Sequence, residues 1–137
     1  MTAFALDPKL EADTVELVTL RLCLARLMND RRFPWVILVP ARPRVSEIID
    51  LDAADRMLLI EDVARVSTVM RDLFNPTKLN VGALGNIVTQ LHVHVVARSA
   101  GDAAWPGPVW GTPPEPYGPD DIERRLAPLR YRLGNSA

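Results

Sequence analysis

The chain is short of the residues that carry most side-chain chemistry. Its 137 residues include one cysteine, Cys23, so no intrachain disulfide can form and a reducing setting, the cytoplasm, is expected. Lysine occurs only at Lys9 and Lys78, and every other basic residue is arginine. That bias suits bidentate anion binding and reflects genome composition equally well. A formal net charge of −1 gives no field to gather nucleic acid or an anionic membrane, so neither is expected as a partner. No apolar run reaches the ~18 residues of a membrane span. Met1 to Asp7 lacks the basic start of a signal peptide, and no internal repeat appears. What is left, 48% hydrophobic and 24% charged residues, is the composition of one globular domain over residues 1–137. Histidine is almost as rare as cysteine, and both histidines sit in one place.

That place is Gln90-Leu91-His92-Val93-His94-Val95-Val96. In an extended segment alternate side chains point the same way, so Gln90, His92 and His94 share one face and Leu91, Val93 and Val95 the other. The apolar face anchors the strand, and the polar face presents two imidazoles and an amide in a row. Imidazole titrates close to neutral pH and serves as nucleophile, acid or base. Three readings are open for the pair: solvated side chains on a sheet face, ligands of a metal, or a catalytic pair. The metal reading is the weakest, because a zinc site needs ~3–4 protein ligands and only Cys23 or scattered carboxylates are left to supply them. No metal or other cofactor is therefore expected.

Around this segment the pattern is α+β. Asp7-Pro8 starts a short helix. Leu20–Met28 and Trp35–Val39 read as strands forming a hairpin across the turn at 29–32, the second strand buried on both sides. Asp52 opens a long helix, with Asp55 three residues on in capping-box spacing and an apolar stripe at Leu59, Val63, Val66, Met70 and Leu73. Asn75-Pro76 ends it. Leu79–Leu84 is a further strand, Gly85-Asn86 a turn, and Val88–Ala97 the histidine strand. A loop at 105–119 holds six of the twelve prolines and two of the three tryptophans, so it should be irregular but partly packed. The segment 120–137 includes a terminal helix interrupted by Pro128. A mainly antiparallel sheet of about five strands follows, with one long and one or two short helices and a core at about 15–100.

The motif Gln90-Leu91-His92-Val93-His94-Val95-Val96 resembles the signature of the histidine triad (HIT) family, His-x-His-x-His followed by two apolar residues. Trp35-Val36-Ile37-Leu38-Val39-Pro40, the basic loop Ala41–Arg44, the long helix and the strand from Leu79-Asn80 resemble that family's landmarks in order, over roughly Leu22 to Arg98. The Asn80 to His94 spacing looks most like bacterial members labelled diadenosine-polyphosphate hydrolases. The resemblance implies nucleotidyl transfer without metal. His92 would attack the α-phosphorus of a nucleoside polyphosphate or phosphoramidate, and water would then release the nucleoside monophosphate. His94 would contact the phosphate or leaving group, and the Gln90 carbonyl would hold the His92 proton. Asn80, Gly85 and Asn86 would bind substrate, and two copies would join their sheets as a homodimer.

Several positions depart from the pattern. The first motif histidine is Gln90, which does not titrate. A further histidine found on the preceding strand in many relatives is Trp35, and a hydroxyl residue beside the motif is Ile87. Arg44 and Arg98 offer phosphate charge, although solvated surface arginines are commoner. The alternative to an enzyme is therefore a nucleotide-binding or interaction module of the same fold, with weak or no turnover.

Overall fold

Asp7 accepts a hydrogen bond from the Lys9 amide at 2.8 Å and starts α1 (Pro8–Asp13), the first element of the computed structural model, which describes residues 3–134. The last three residues of the C-terminal segment lie outside the described residues. Proline at the start of α1 suits a position whose amide has no intrahelical partner.

The chain then enters β1 (Thr14–Thr19), a strand the sequence reading did not single out. Leu20 and Leu22 drew the expected strand start to Leu20, but Leu20–Leu22 are the turn between β1 and β2 (Cys23–Met28), closed by the Leu20 amide donating to the Cys23 carbonyl at 2.8 Å. The Leu22 and Cys23 amides both donate to Asp62 Oδ2 at 3.0 Å, so a buried carboxylate from the long helix takes up two turn amides. β3 (Trp35–Pro40) is buried along its whole length and pairs with β2, as the hairpin reading required.

The long helix is α2 (Ala53–Phe74). Asp52 caps it by accepting from the Asp55 amide at 2.8 Å, while the Asp55 carboxylate is held by Arg42 at 2.8 and 3.1 Å. Leu59, Val66 and Met70 of the expected stripe are fully buried, and Val63 and Leu73 pack at its margin. Asn75 closes the helix with φ 43°, a left-handed conformation that asparagine tolerates better than most residues. After a short strand, β4 (Lys78–Gly82), the chain returns in β5 (Val93–Arg98). All four strand pairs are antiparallel, in the order β1-β2-β3-β5-β4.

Two further boundaries differ from expectation. β4 ends at Gly82 rather than Leu84, and β5 starts at Val93 rather than Val88. Between them the chain leaves the ladder: Gly85 takes φ +71°, and the Leu91 amide donates to the Val45 carbonyl at 2.9 Å. Gln90 and His92 therefore precede the strand. α3 (Pro119–Gly134) also differs, continuing through Pro128 instead of breaking there. Proline removes one helical hydrogen bond, but Leu126, Leu129 and Leu133 are buried on both sides of it and hold the helix against the core.

The sheet is covered on both faces. α2 and α3 lie on the face of Leu27, Val36, Leu38, Val93 and Val95. The opposite face, with Trp35, Ile37, Val39 and Val96, is covered by Phe4, Leu6 and Leu10 of the N-terminal segment and by Val109 and Trp110 of the proline-rich loop. That loop is irregular and only partly packed: Val109 is buried and Trp110 lies against the sheet, but Trp105 stays 36% exposed. Among the described residues no helix is long and apolar enough to cross a membrane.

Candidate active site

The histidines reach one cavity from slightly different backbone. His94 lies on β5, opposite Ile37 of β3 and Gly82 of β4, on the face covered by the loop. His92 is one residue before β5, where the chain is still irregular. The two rings are 5.0 Å apart and nearly perpendicular, with an interplanar angle of 66°. Both line a cavity of about 770 Å³ whose walls are α1, the end of β2, the loop Leu84–Val88 and the loop Val109–Thr112. This is ligand-sized, where pockets run from ~300 to 1,000 Å³.

Hydrogen bonds orient both rings. His92 Nδ1 lies 2.7 Å from the Gln90 carbonyl oxygen. A carbonyl only accepts, so Nδ1 carries the proton and Nε2 is the basic nitrogen of the neutral ring. The Trp35 indole N–H donates to His94 Nδ1 at 3.0 Å. Burial, and then the neighbouring His92, push the His94 pKa down from 6.5 to about 4. His94 is thus neutral at pH 7. Its ring is held between Trp35, at 5.7 Å, and Trp110, at 5.2 Å.

The HIT domain model matches residues 9–101. The chain belongs to the histidine triad family. It is 44% identical to a histidine triad protein of Marinobacter aquaeolei, covering 99% of this chain and 100% of that one, with a TM-score of 0.95. A histidine triad protein of Sinorhizobium meliloti is 45% identical, covering 95% of this chain and 97% of its own, with a TM-score of 0.92. One from Bradyrhizobium japonicum is 40% identical, covering 96% and 99%, with a TM-score of 0.93. No curated protein matches the chain.

The other residues of the triad pattern separate into two groups. Gly85 and Asn86 line the histidine triad cavity together with Ile87. Gln90 and Asn80 do not. The Gln90 amide faces the N-terminal segment: Oε1 accepts from the Asp7 amide and Nε2 donates to the Ala5 carbonyl, both at 2.8 Å. Its backbone carbonyl, rather than its side chain, touches His92. Asn80 shares its sheet face with Val96 and His94, but its Oδ1 accepts from Arg98 Nη1 at 2.9 Å. Arg98 itself is 1% exposed and locked to Asp102 at 2.8 and 2.9 Å, which holds the Asp102 carboxyl down at about 2. Neither Arg98 nor the exposed Arg44 lines the cavity.

Sequence reasoning missed the N-terminal wall. Lys9, Leu10 and Asp13 of α1 line the cavity, with Lys9 Nζ paired to Asp13 at 3.0 Å. Cys23 lies in the core beneath α2, where burial, with Asp62 nearby, pushes its thiol pKa far up, and it has no part in the site. Among the described residues no three His, Cys, Asp or Glu side chains gather to hold a metal ion.

Proposed function

We propose that this histidine triad protein transfers a nucleotidyl group to His92 and then to water, releasing a nucleoside monophosphate. The observation that carries the reading is the 2.7 Å contact between His92 Nδ1 and the Gln90 carbonyl. It fixes the proton on one nitrogen and leaves Nε2 basic in a residue that lines the cavity. In the first step Nε2 forms a bond to the α-phosphorus, and the bond to the leaving group breaks. The leaving group departs with that electron pair and takes a proton from water. The Gln90 carbonyl then sits against the Nδ1–H of a positively charged ring and stabilises it. In the second step water attacks phosphorus, the P–N bond breaks with its electron pair returning to Nε2, the water's proton is taken by the hydroxide left in the first step, and His92 is regenerated. Two displacements with a good nucleophile and a good leaving group replace one difficult hydrolysis.

Backbone amides of the Gly85–Ile87 turn are the natural cradle for the phosphoryl oxygens. Lys9 is the single lysine or arginine among the described residues that line the cavity, and it already has a carboxylate partner. That supports a substrate with little phosphate charge. We favour a nucleoside phosphoramidate over the diadenosine polyphosphates to which the motif spacing points. The apolar walls at Leu10, Ile37, Val88 and Val109 suit the nucleoside. Two copies pairing through the β4 edge complete the proposal, supported by Val81, which is 51% exposed on that edge, and by Leu84 just beyond it, 48% exposed.

The test is release of adenosine monophosphate from adenosine phosphoramidate and from diadenosine tetraphosphate, with the phosphoramidate preferred. His92→Ala should lower turnover on the order of 10³-fold or more, and an adenylylated His92 should be trapped by rapid quench and mass spectrometry. Binding without turnover, unchanged in His92→Ala, would identify a nucleotide-binding module instead.

A further inference from the structure

We propose that Trp35 is a positioning residue: its indole locks His94 in the Nε2–H tautomer, making His94 a fixed hydrogen-bond donor toward the reacting phosphoryl group and closing it as a proton shuttle. The last step of this inference rests on the nucleotidyl-transfer reading; the tautomer does not.

An indole N–H donates and never accepts. His94 Nδ1, 3.0 Å from Trp35 Nε1, must therefore be the bare nitrogen. A neutral imidazole has one N–H, so the proton sits on Nε2. His92 is set the opposite way by the Gln90 carbonyl, with the proton on Nδ1. Two adjacent rings, 5.0 Å apart, thus hold complementary tautomers. One has a free lone pair on Nε2, and the other has a free N–H on Nε2. Displacement at phosphorus uses both: a lone pair to attack, and a donor for the charge that develops on oxygen. The indole has no site that takes up a proton near neutrality, so no proton passes through His94 Nδ1.

The lock is rigid. Trp35 is 4% exposed and meets Phe33 edge-on at 6.4 Å. It sits diagonally from His94 on the same sheet face, because Trp35 pairs with Val96 and Ile37 with His94. Such diagonal neighbours lie within reach of long aromatic side chains. Burying tryptophan here does not by itself create the bond: the Trp110 ring is as close to His94 as Trp35, yet its indole nitrogen is buried with no hydrogen-bond partner among the described residues.

The experiment is long-range ¹H–¹⁵N correlation of the imidazole nitrogens of the full chain at pH 7, joined to steady-state kinetics of Trp35→Phe with adenosine phosphoramidate. Expected in the wild type is a bare Nδ1 and a protonated Nε2 on His94, and the reverse on His92. Trp35→Phe keeps the ring and removes the donor. His94 should then populate both tautomers, and kcat should fall about tenfold, the worth of one well-placed hydrogen bond. KM should move by less than about twofold. A wild-type His94 protonated on Nδ1 overturns the proposal and requires no variant to fold. A Trp35→Phe protein whose His94 keeps a single Nε2–H tautomer overturns it too. Tautomer switching in a protein that never releases adenosine monophosphate upholds the Trp35 lock and instead overturns the nucleotidyl-transfer reading.

Discussion

Replacing Arg98 by methionine separates a structural cation from a phosphate ligand. Arg98 is 1% exposed and donates to Asp102 at 2.8 and 2.9 Å and to Asn80 at 2.9 Å, with the rings of Phe33 and Trp105 at 5.5 and 5.8 Å from its guanidinium carbon. Methionine keeps much of the stem and removes the charge. Breaking a buried pair by deleting one partner costs about 3–5 kcal/mol, because the other charge stays buried alone. Part of that cost depends on pH. Asp102, through its hydrogen bonds from Arg98, is lowered from 3.8 to about 2. At ~1.4 kcal/mol per unit the whole shift is about 2 kcal/mol, with the Arg98 bonds its largest part and the Ser99 and Ala104 amides, which the variant keeps, adding to it. It stabilises the ionised carboxyl, so it is complete well above 3.8 and is lost as pH falls toward about 2. Urea unfolding followed by tryptophan fluorescence should show Arg98→Met less stable by about 4 kcal/mol at pH 7. The gap should narrow by about 1 kcal/mol at pH 3. Nucleotide affinity at a temperature where the variant is folded should stay within about twofold, because Arg98 does not line the cavity. A gap below about 1.5 kcal/mol at pH 7 would refute the buried-pair argument. Lost affinity with unchanged stability would restore Arg98 as a phosphate ligand.

Three other outcomes follow from the same geometry. Asp62→Ala strands the buried Leu22 and Cys23 amides and should destabilise the fold by about 2–5 kcal/mol in urea titration, with Asp62→Asn losing less; equal losses would contradict the role of Oδ2 as acceptor. Gln90→Leu should speed hydrogen exchange of the Asp7 amide by about tenfold or more while the His92 ring resonances stay in place, and an unchanged Asp7 amide would show that the side chain does not fasten the N-terminal segment. His94 should titrate by NMR near pH 4, not 6.5. Because the unfolded chain protonates first, stability should fall by up to about 3 kcal/mol as pH drops from 6.5 to about 4, and a His94→Gln variant should lack that loss; a midpoint near 6.5 would mean the ring is hydrated.

The elements that were legible share a physical cause: their local pattern and their tertiary environment agree. β3 is apolar throughout and is buried throughout. The α2 stripe at Leu59, Val66 and Met70 meets the sheet, and its cap and stop, Asp52 and Asn75, lie where residue chemistry puts them. β1 escaped notice because Thr14–Thr19 mixes Glu16 and two threonines with its apolar residues, and a bulge between Glu16 and Val18 spoils the period. Pro128 reads as a break because a lone helix would break there; packing of Leu126, Leu129 and Leu133 overrides the local preference.

At the site, pattern alone delivered the histidine pair and the turn at Gly85-Asn86, which the structure gathers around one cavity. It did not reveal what Gln90, Asn80 and Arg98 bind, since each has a partner far away in sequence or on another strand.

By itself, the order of residues determined β3, α2 and the other elements whose local pattern is clear, and that two imidazoles are neighbours, because alternation, stripes and caps act within a few residues; β1 and the continuation of α3 through Pro128 needed the packed fold. Which nitrogen of His94 carries the proton was decided only in three dimensions, by an indole on the adjoining strand, whereas the Gln90 carbonyl that sets His92 is two residues away in the chain. Proton placement depends on contacts of about 3 Å, and only folding brings β3 beside β5.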